Sequence, residues 1–511
     1  MGTDPSHQNG VITLPPLVRP PELESHQTVP APSQARPSGA SDNDRVFTDS
    51  TNAERFAERN ADDVRYVTQW REWIVWDGKR WCRESHGKVL MLIKESAREM
   101  RAEAGLIDDR DESEKMFHHA TKSENKNSIM ATEFLARATP PMPIDHKCLD
   151  ANPWLLNFNN GTLDLKSGDL RPHDRGDYIT QMIPYDYPAQ ATDTQPTQWL
   201  NFLYDIFAGD KELIAFMQRL LGCMLAGEQI EHIFPIFYGV GNNGKSTLTG
   251  VLLAALGEYG IVLGEDYFVQ TQSKRHSTEV MDLYQKRLAV QAETDEGARL
   301  NESRIKQQTG KNKIRANRMH HDKTEFEASH TFILETNHKP RIVGTDVGIW
   351  RRVLLIPFEV QIPECKRDPD LDKKLLKELP LIMRWMVAGC LKWREHGLNP
   401  PEKVRVATDK YREESDLTAA FVEECCFVSP DLKVPALALY RRYNQWANER
   451  GESPMGSKRF RERMEQMRFA CKRSQRCNLY LGLNLKSYDG EPAYDTGQTN
   501  TMEHWQLNSE L

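Results

Sequence analysis

No stretch of the chain approaches the ~18 consecutive apolar residues that a membrane-spanning helix needs, so no membrane partner is expected. Cysteine is scattered: nine residues, Cys425 and Cys426 adjacent, Cys471 and Cys477 six apart, and no CxxC pair. That pattern gives no zinc site, and an odd count argues against a fully paired disulfide framework, so reduced thiols in a cytoplasm are expected. Positions 1–45 contain no aromatic residue and hold eight of the 28 prolines. Such a segment cannot bury enough surface to offset its ordering entropy and reads as a disordered tail. It also lacks the apolar core of a signal peptide. Basic charge is in deficit as well: 67 Lys/Arg against 74 Asp/Glu, net −7, which excludes a uniformly basic nucleic-acid-coating protein.

The distribution of charge reverses that impression. Residues 431–490 carry 13 Lys/Arg against 6 Asp/Glu, a local +7 that leaves −14 on the remainder. Residues 303–324 carry seven basic residues and one acid, Asp322. Two basic segments on an acidic body point to two places where a phosphate backbone is held.

Beyond the tail, an aromatic-rich unit begins near Phe47, with Trp73 to Trp81 as a hairpin turning at Asp77-Gly78. Helical spacing from Val89 to Met100 stops at Gly105, and a second hairpin cluster from Leu155 to Leu170 turns at Asn160-Gly161 and Ser167-Gly168. A tryptophan row could stack bases, but at this spacing it is read as core. After amphipathic helices at 199–207 and 213–221, strand-like apolar runs appear at 233–238, 287–292, 331–334 and 353–356. With helices between them they predict an α/β parallel-sheet domain. A helical stretch follows at 371–393, then a link at Asn399-Pro400-Pro401 and a helix through Tyr411. Residues 417–485 read as three helices and a terminal hairpin. The expected division is 1–45 tail, 46–195 N-terminal α+β unit, 196–410 α/β domain, 411–487 basic C-terminal domain and 488–511 loose tail.

Gly239-Val240-Gly241-Asn242-Asn243-Gly244-Lys245-Ser246-Thr247 lies between the apolar run 233–238 and a helical pattern, and satisfies GxxxxGK[ST]. The glycines let successive backbone N–H groups turn inward around a phosphate chain, and the helix start aims its positive end at the same anion. Lys245 would reach the β/γ-phosphates of ATP, and the Ser246 hydroxyl would ligate Mg2+. Glu293, ending the run 287–292 with Asp295 and Glu296 close behind, is the candidate acid for the Mg2+ shell or the attacking water. Asn337, just past the run 331–334, can touch both γ-phosphate and water. Arg351-Arg352 precede the last strand, where one of them can reach a neighbouring subunit's site in a ring.

Together these motifs resemble the superfamily 3 helicases, and most closely the helicase half of phage and plasmid primase/helicases related to the poxvirus primase-helicase. Trp76-Asp77-Gly78 with Trp81, Asn160-Gly161-Thr162-Leu163-Asp164-Leu165, Asn337-His338-Lys339-Pro340, Trp350-Arg351-Arg352 and Tyr411-Arg412-Glu413-Glu414-Ser415-Asp416 carry the resemblance, over residues 55–486. The resemblance implies an AAA+-like core, a hexameric ring, ATP hydrolysis with Mg2+, translocation on single-stranded DNA and separation of forked duplex, in the cytoplasm of a bacterial host cell. It makes Glu293 the Walker B acid, Asn337 the sensor, Arg351 or Arg352 the finger, with Arg352 preferred in trans, and Lys306, Lys311, Lys313 and Arg315 the channel contacts. It likens the C-terminal segment to a winged helix, with Arg459, Arg461, Arg463, Arg468, Lys472 and Arg473 facing phosphates. The chain departs from the family pattern at Lys311, where an acid is common, and at Gln291-Ala292, where paired acids precede the Walker B position. A separate primase or replication initiator is the further partner expected of such a helicase; the two rival readings are a bifunctional primase-helicase component that also makes primers, and an origin-binding protein that ATP merely switches.

Overall fold

The computed structural model describes residues 47–188, 194–270, 278–293, 295–310, 313–316, 324–342, 347–452, 454–474, 477–486 and 493. The expected tails 1–45 and 488–511 fall outside this set, apart from position 493. The helix Asp49–Asn60 starts at a reciprocal cap between Thr48 and Thr51. A four-stranded sheet follows, in the order Trp81–Arg83, Glu72–Trp76, Val64–Val67, Pro143–Ile144. Its tight hairpin sets Trp76 opposite Trp81. The Asp77 carboxylate accepts from the backbone N–H of Lys79 at 2.8 Å and of Arg80 at 2.9 Å, while Gly78 takes φ 102°. Trp73, Trp76 and Trp81 are buried, so the tryptophan row is core. Val64, Tyr66 and Trp73 pack against three helices, Asp49–Asn60, Lys88–Ala104 and Lys126–Ala136, through Phe56, Ile93 and Ile129.

A second, three-stranded antiparallel sheet comprises Leu155–Phe158, Gly161–Asp164 and Leu170–Arg171. Its first turn demands glycine: Gly161 has φ 153°, and a Cβ there would lie 2.4 Å from the Arg171 carbonyl oxygen. Leu156, Phe158 and Leu163 share one apolar core with Trp199, Phe216 and Leu252, so the core continues across residue 195.

That core lies on one face of a five-stranded, all-parallel sheet: Phe234–Tyr238, Gly260–Leu263, Leu288–Ala292, Thr331–Thr336 and Val353–Pro357. The order across it is fifth, first, fourth, third, second. Both faces are covered, which is why its inner strands read as nearly continuous apolar runs. The short edge strand Gly260–Leu263 is mostly half-exposed, and so carried no such signal. The opposite face packs Tyr267, Phe268, Ile349, Trp350 and Tyr411. Between the third and fourth strands come the helix Glu302–Gln308 and a two-stranded hairpin, Ile314–Ala316 with Thr324–Phe326.

The helical stretch expected at 371–393 is two helices, Leu371–Lys377 and Leu379–His396. Glu378 between them accepts from the backbone N–H of Gln198 at 3.1 Å and Trp199 at 3.0 Å, capping the helix Thr197–Ile206. The C-terminal unit runs helix Leu417–Cys425, strand Cys426–Pro435, helices Ala436–Glu449 and Ser457–Gln466, then strands Cys471–Arg473 and Asn478–Leu485. Strand Cys426–Pro435 differs from the expected all-helical start of this unit; it completes a three-stranded sheet with the terminal hairpin. No described helix is long and apolar enough to cross a membrane.

Candidate functional site

The glycine loop runs from the end of strand Phe234–Tyr238 to the helix Lys245–Leu256. Two of its glycines are demanded by space. A Cβ on Gly239 would lie 2.2 Å from the Phe358 carbonyl oxygen, and one on Gly244, at φ 83°, would lie 2.6 Å from Ile206. Asn242 also takes a left-handed conformation, φ 57°. The segment after the fifth strand braces the loop: Asn243 Nδ2 donates to the Phe358 carbonyl at 3.2 Å, and the Ile362 N–H to the Asn242 carbonyl at 2.9 Å. Gly241, Asn242 and Ser246 are exposed, and Thr247 is half-buried.

Lys245 is buried, and its ammonium donates to Gly239 O at 2.5 Å, Asn243 Oδ1 at 3.0 Å and Asn337 Oδ1 at 3.0 Å. All three acceptors are uncharged. Burial holds the Lys245 pKa below its ordinary value, while Glu335 and Glu293 act in the opposite sense. Asn337, at the end of the fourth strand, therefore meets the glycine-loop lysine across 92 residues of sequence. Glu293 directly follows the third strand at φ 54°, exposed, near enough to act electrostatically on Lys245.

The carboxylate in direct contact with the helix start is Glu335, which the sequence reading passed over. It is buried and accepts from Ser246 Oγ and from Thr249 Oγ1, the latter at 2.9 Å. An acid directly after the apolar run Thr331-Phe332-Ile333-Leu334, still within the strand, is the available signal.

The arginine pair separates. Arg351 is exposed. Arg352 is buried, its Nε donating to Thr309 Oγ1 at 3.0 Å and its Nη1 to the Gly348 carbonyl. The preference for Arg352 as a finger reaching another subunit is thus corrected: its guanidinium is held inside its own chain.

Among the DNA candidates, Lys306 is half-buried on its helix, Lys313 is exposed and Lys311 lies outside the described residues. Arg315 is exposed and pairs across the hairpin with Glu325 at 2.9 Å. Arg459 and Arg473 are exposed. Arg463 is a second correction: Nε and Nη2 bind Asp416 Oδ2, while Asp416 Oδ1 caps the helix Leu417–Cys425 through Thr418 N–H at 3.1 Å. It braces the C-terminal unit and does not face solvent phosphates.

The residues after Asn337 form a strap to the C-terminal elements. Lys339 Nζ pairs with Glu414 at 2.6 Å, the Tyr411 hydroxyl donates to the Pro340 carbonyl, and Arg341 Nη1 pairs with Glu452 at 2.7 Å.

Three family models match in succession: "D5 N terminal like" over residues 53–208, "Family of unknown function (DUF5906)" over 237–352 and "Poxvirus D5 protein-like" over 413–483. The chain belongs to the D5-type primase-helicase family. This D5-type chain is 26% identical over 334 residues to a protein of Acanthamoeba polyphaga mimivirus named "Putative helicase L207/L206", covering 60% of this chain and 34% of that one. It is 26% identical over 322 residues to "Putative helicase 022R" of Frog virus 3, covering 59% and 32%. Over 247 residues it is 26% identical to "Putative primase C962R" of African swine fever virus, covering 47% and 25%. The match thus spans about a third or less of each relative's length. A structure titled "The A form apo structure of NrS-1 C terminal region-CTR" covers 84% of this chain and 98% of its own, at 12% identity and a TM-score of 0.47.

Proposed function

We propose that the chain is an ATP-hydrolysing DNA helicase of superfamily 3 type, with an AAA+-like phosphate-loop core and a C-terminal winged-helix unit. The observation that carries this reading is the buried Lys245 ammonium, held only by uncharged oxygens at the mouth of a glycine loop. Glu335 and Glu293 act on this ammonium only through space, and a buried cation that no carboxylate touches is costly unless an anion is to join it; the β/γ-phosphates of ATP fit. The strand order and Asn337 at the carboxyl end of the neighbouring strand support the same reading, since ligands of parallel α/β sheets bind at that edge.

In this mechanism the loop N–H groups cradle the phosphates, Lys245 meets the β/γ-oxygens, Asn337 orients the attacking water and Glu293 takes its proton. Ser246 would hold Mg2+, which when bound neutralises charge on the phosphoryl oxygens. The donor set fits a hard cation: hydroxyl and carboxylate oxygens at the start of the loop helix. Arg351, exposed ahead of the fifth strand, is the finger we assign within a hexameric ring. Lys306, Lys311, Lys313 and Arg315 are the proposed channel contacts for single-stranded DNA, and Arg459 and Arg473 those of the winged helix. The setting we assign is a phage or plasmid replication system in a bacterial cytoplasm, with a separate primase or initiator as partner.

The test is ATP turnover with and without single-stranded DNA, together with strand displacement on a forked duplex. Lys245→Ala is expected to abolish both while the chain still folds, as read by circular dichroism; normal turnover in that variant overturns the reading. Turnover without displacement would favour the ATP-switched origin-binding alternative, to which the ion pairs of Lys339 with Glu414 and of Arg341 with Glu452, just after Asn337, lend weight. Incorporation of labelled nucleotides would favour the primase alternative.

A further inference from the structure

Glu335 is an acid where an anion is to bind. Its strand is flanked by the glycine-loop strand and by the strand just before Glu293. It is 5% exposed, and its two carboxylate oxygens are taken separately, one by Ser246 Oγ and the other by Thr249 Oγ1. The Thr249 contact, at 2.9 Å, is shorter than the 3.2 Å that separate the same hydroxyl from the carbonyls of Lys245 and Ser246. The Lys245 ammonium acts on this carboxylate only through space, and its two direct partners are neutral hydroxyls, which replace lost water only in part. The same charge repels a triphosphate arriving at the adjacent helix start. A divalent cation held by Ser246 would offset both penalties.

The hydroxyl geometry points the same way. Ser246 Oγ has one proton and two lone pairs. When that oxygen ligates a cation through a lone pair, its proton must leave the metal side and find an acceptor. Glu335 already accepts it. Thr249, one helical turn on from Lys245, fixes the other carboxylate oxygen so that the acceptor cannot rotate away.

We infer that Glu335 is the positioning carboxylate of the Mg2+ site: it receives the Ser246 hydroxyl proton, turns that oxygen's lone pair toward the metal and makes nucleotide binding depend on the cation. This inference rests on the nucleotide-site reading above. Glu335 acts through Ser246 and does not touch the reacting phosphate. Partners of this kind orient metal ligands, and removing them weakens the metal by roughly 10- to 100-fold.

The experiment titrates a fluorescent ADP analogue into the full chain in Mg2+ and in EDTA, with Mn2+ paramagnetic resonance reading the metal directly. Glu335→Ala should raise the Mg2+ concentration for half-maximal nucleotide binding by about 10- to 100-fold. Its affinity in EDTA should hold or rise, because a repelling charge is gone. Glu335→Gln and Thr249→Val are the near-isosteric controls for folding and should shift the Mg2+ requirement in the same direction by less. A bound-Mn2+ signal weakened in Glu335→Ala and restored at higher Mn2+ is expected. Equal loss of affinity with and without Mg2+, or an unchanged Mg2+ requirement in folded variants, overturns the inference and makes Glu335 structural. Absence of any nucleotide binding by the unmodified chain would instead sink the nucleotide-site reading itself.

Discussion

Arg351 and Arg352 are adjacent in sequence and opposite in environment, and substitution should separate them. Arg352→Ala removes the donors that its buried guanidinium supplies to Thr309 Oγ1 and the Gly348 carbonyl, and is expected to cost about 1–3 kcal/mol of stability by urea unfolding. Arg351→Ala, at an exposed position, should leave the unfolding midpoint within experimental scatter. His330 supplies a second residue-scale prediction. Burial pushes its imidazole down to about 3 from the ordinary 6.5. The folded state thus keeps it neutral while the unfolded chain takes up a proton below that ordinary value. Its contribution is complete above pH 6.5 and is lost as pH falls toward 3, by about 1.4 kcal/mol per unit. Urea midpoints between pH 7 and pH 5 should fall less steeply in His330→Phe than in the parent chain, and equal slopes would refute this.

At the scale of elements, the C-terminal unit divides its arginines by task. Asp416 and Arg463 tie the helix Leu417–Cys425 to the helix Ser457–Gln466, with side chains 10% and 23% exposed. Arg463→Ala leaves a nearly buried carboxylate without its cation, and a loss of about 2–3 kcal/mol is expected with the salt dependence of DNA binding unaltered. Arg459→Ala with Arg473→Ala should do the reverse: a normal unfolding midpoint, but a shallower slope of log affinity against log salt, by about two ion equivalents. A salt slope that responds to Arg463 would return it to the DNA surface. The glycine packing of helices Lys211–Cys223 and Leu379–His396 belongs to this scale too. A Cβ on Gly222 would lie 2.1 Å from Cys390 N, and one on Gly389 2.0 Å from Gln218 O, so the helices touch backbone to backbone.

For the whole molecule, the ring proposal makes Arg351 an actor in a neighbour's site. Arg351→Ala and Lys245→Ala are each expected to be nearly inactive, the first losing about a thousandfold in turnover. Mixed rings contain interfaces with an intact loop facing an intact finger, so mixing the two variants should restore part of the ATPase in a ratio-dependent way. No recovery at any ratio would remove Arg351 from the ring interface.

What the sequence determined by itself is whatever a few consecutive residues can enforce. Asp77-Gly78 and Asn160-Gly161 fixed their hairpins because the turns need those conformations, and the apolar runs marked four of the five central strands because both sheet faces are covered. The glycine loop, with Lys245 at its helix start, was equally local. The chain reads Glu335 as one polar residue in a strand and Arg351-Arg352 as a matched pair, since neither burial nor partner is written within a few positions of them. Tertiary structure decided those: the order fifth, first, fourth, third, second brings the ends of the first and fourth strands together, so that Asn337 reaches Lys245 and Glu335 reaches Ser246. Packing of the helix ahead of the fifth strand against the helix Glu302–Gln308 then buries Arg352 on Thr309 and leaves Arg351 outside.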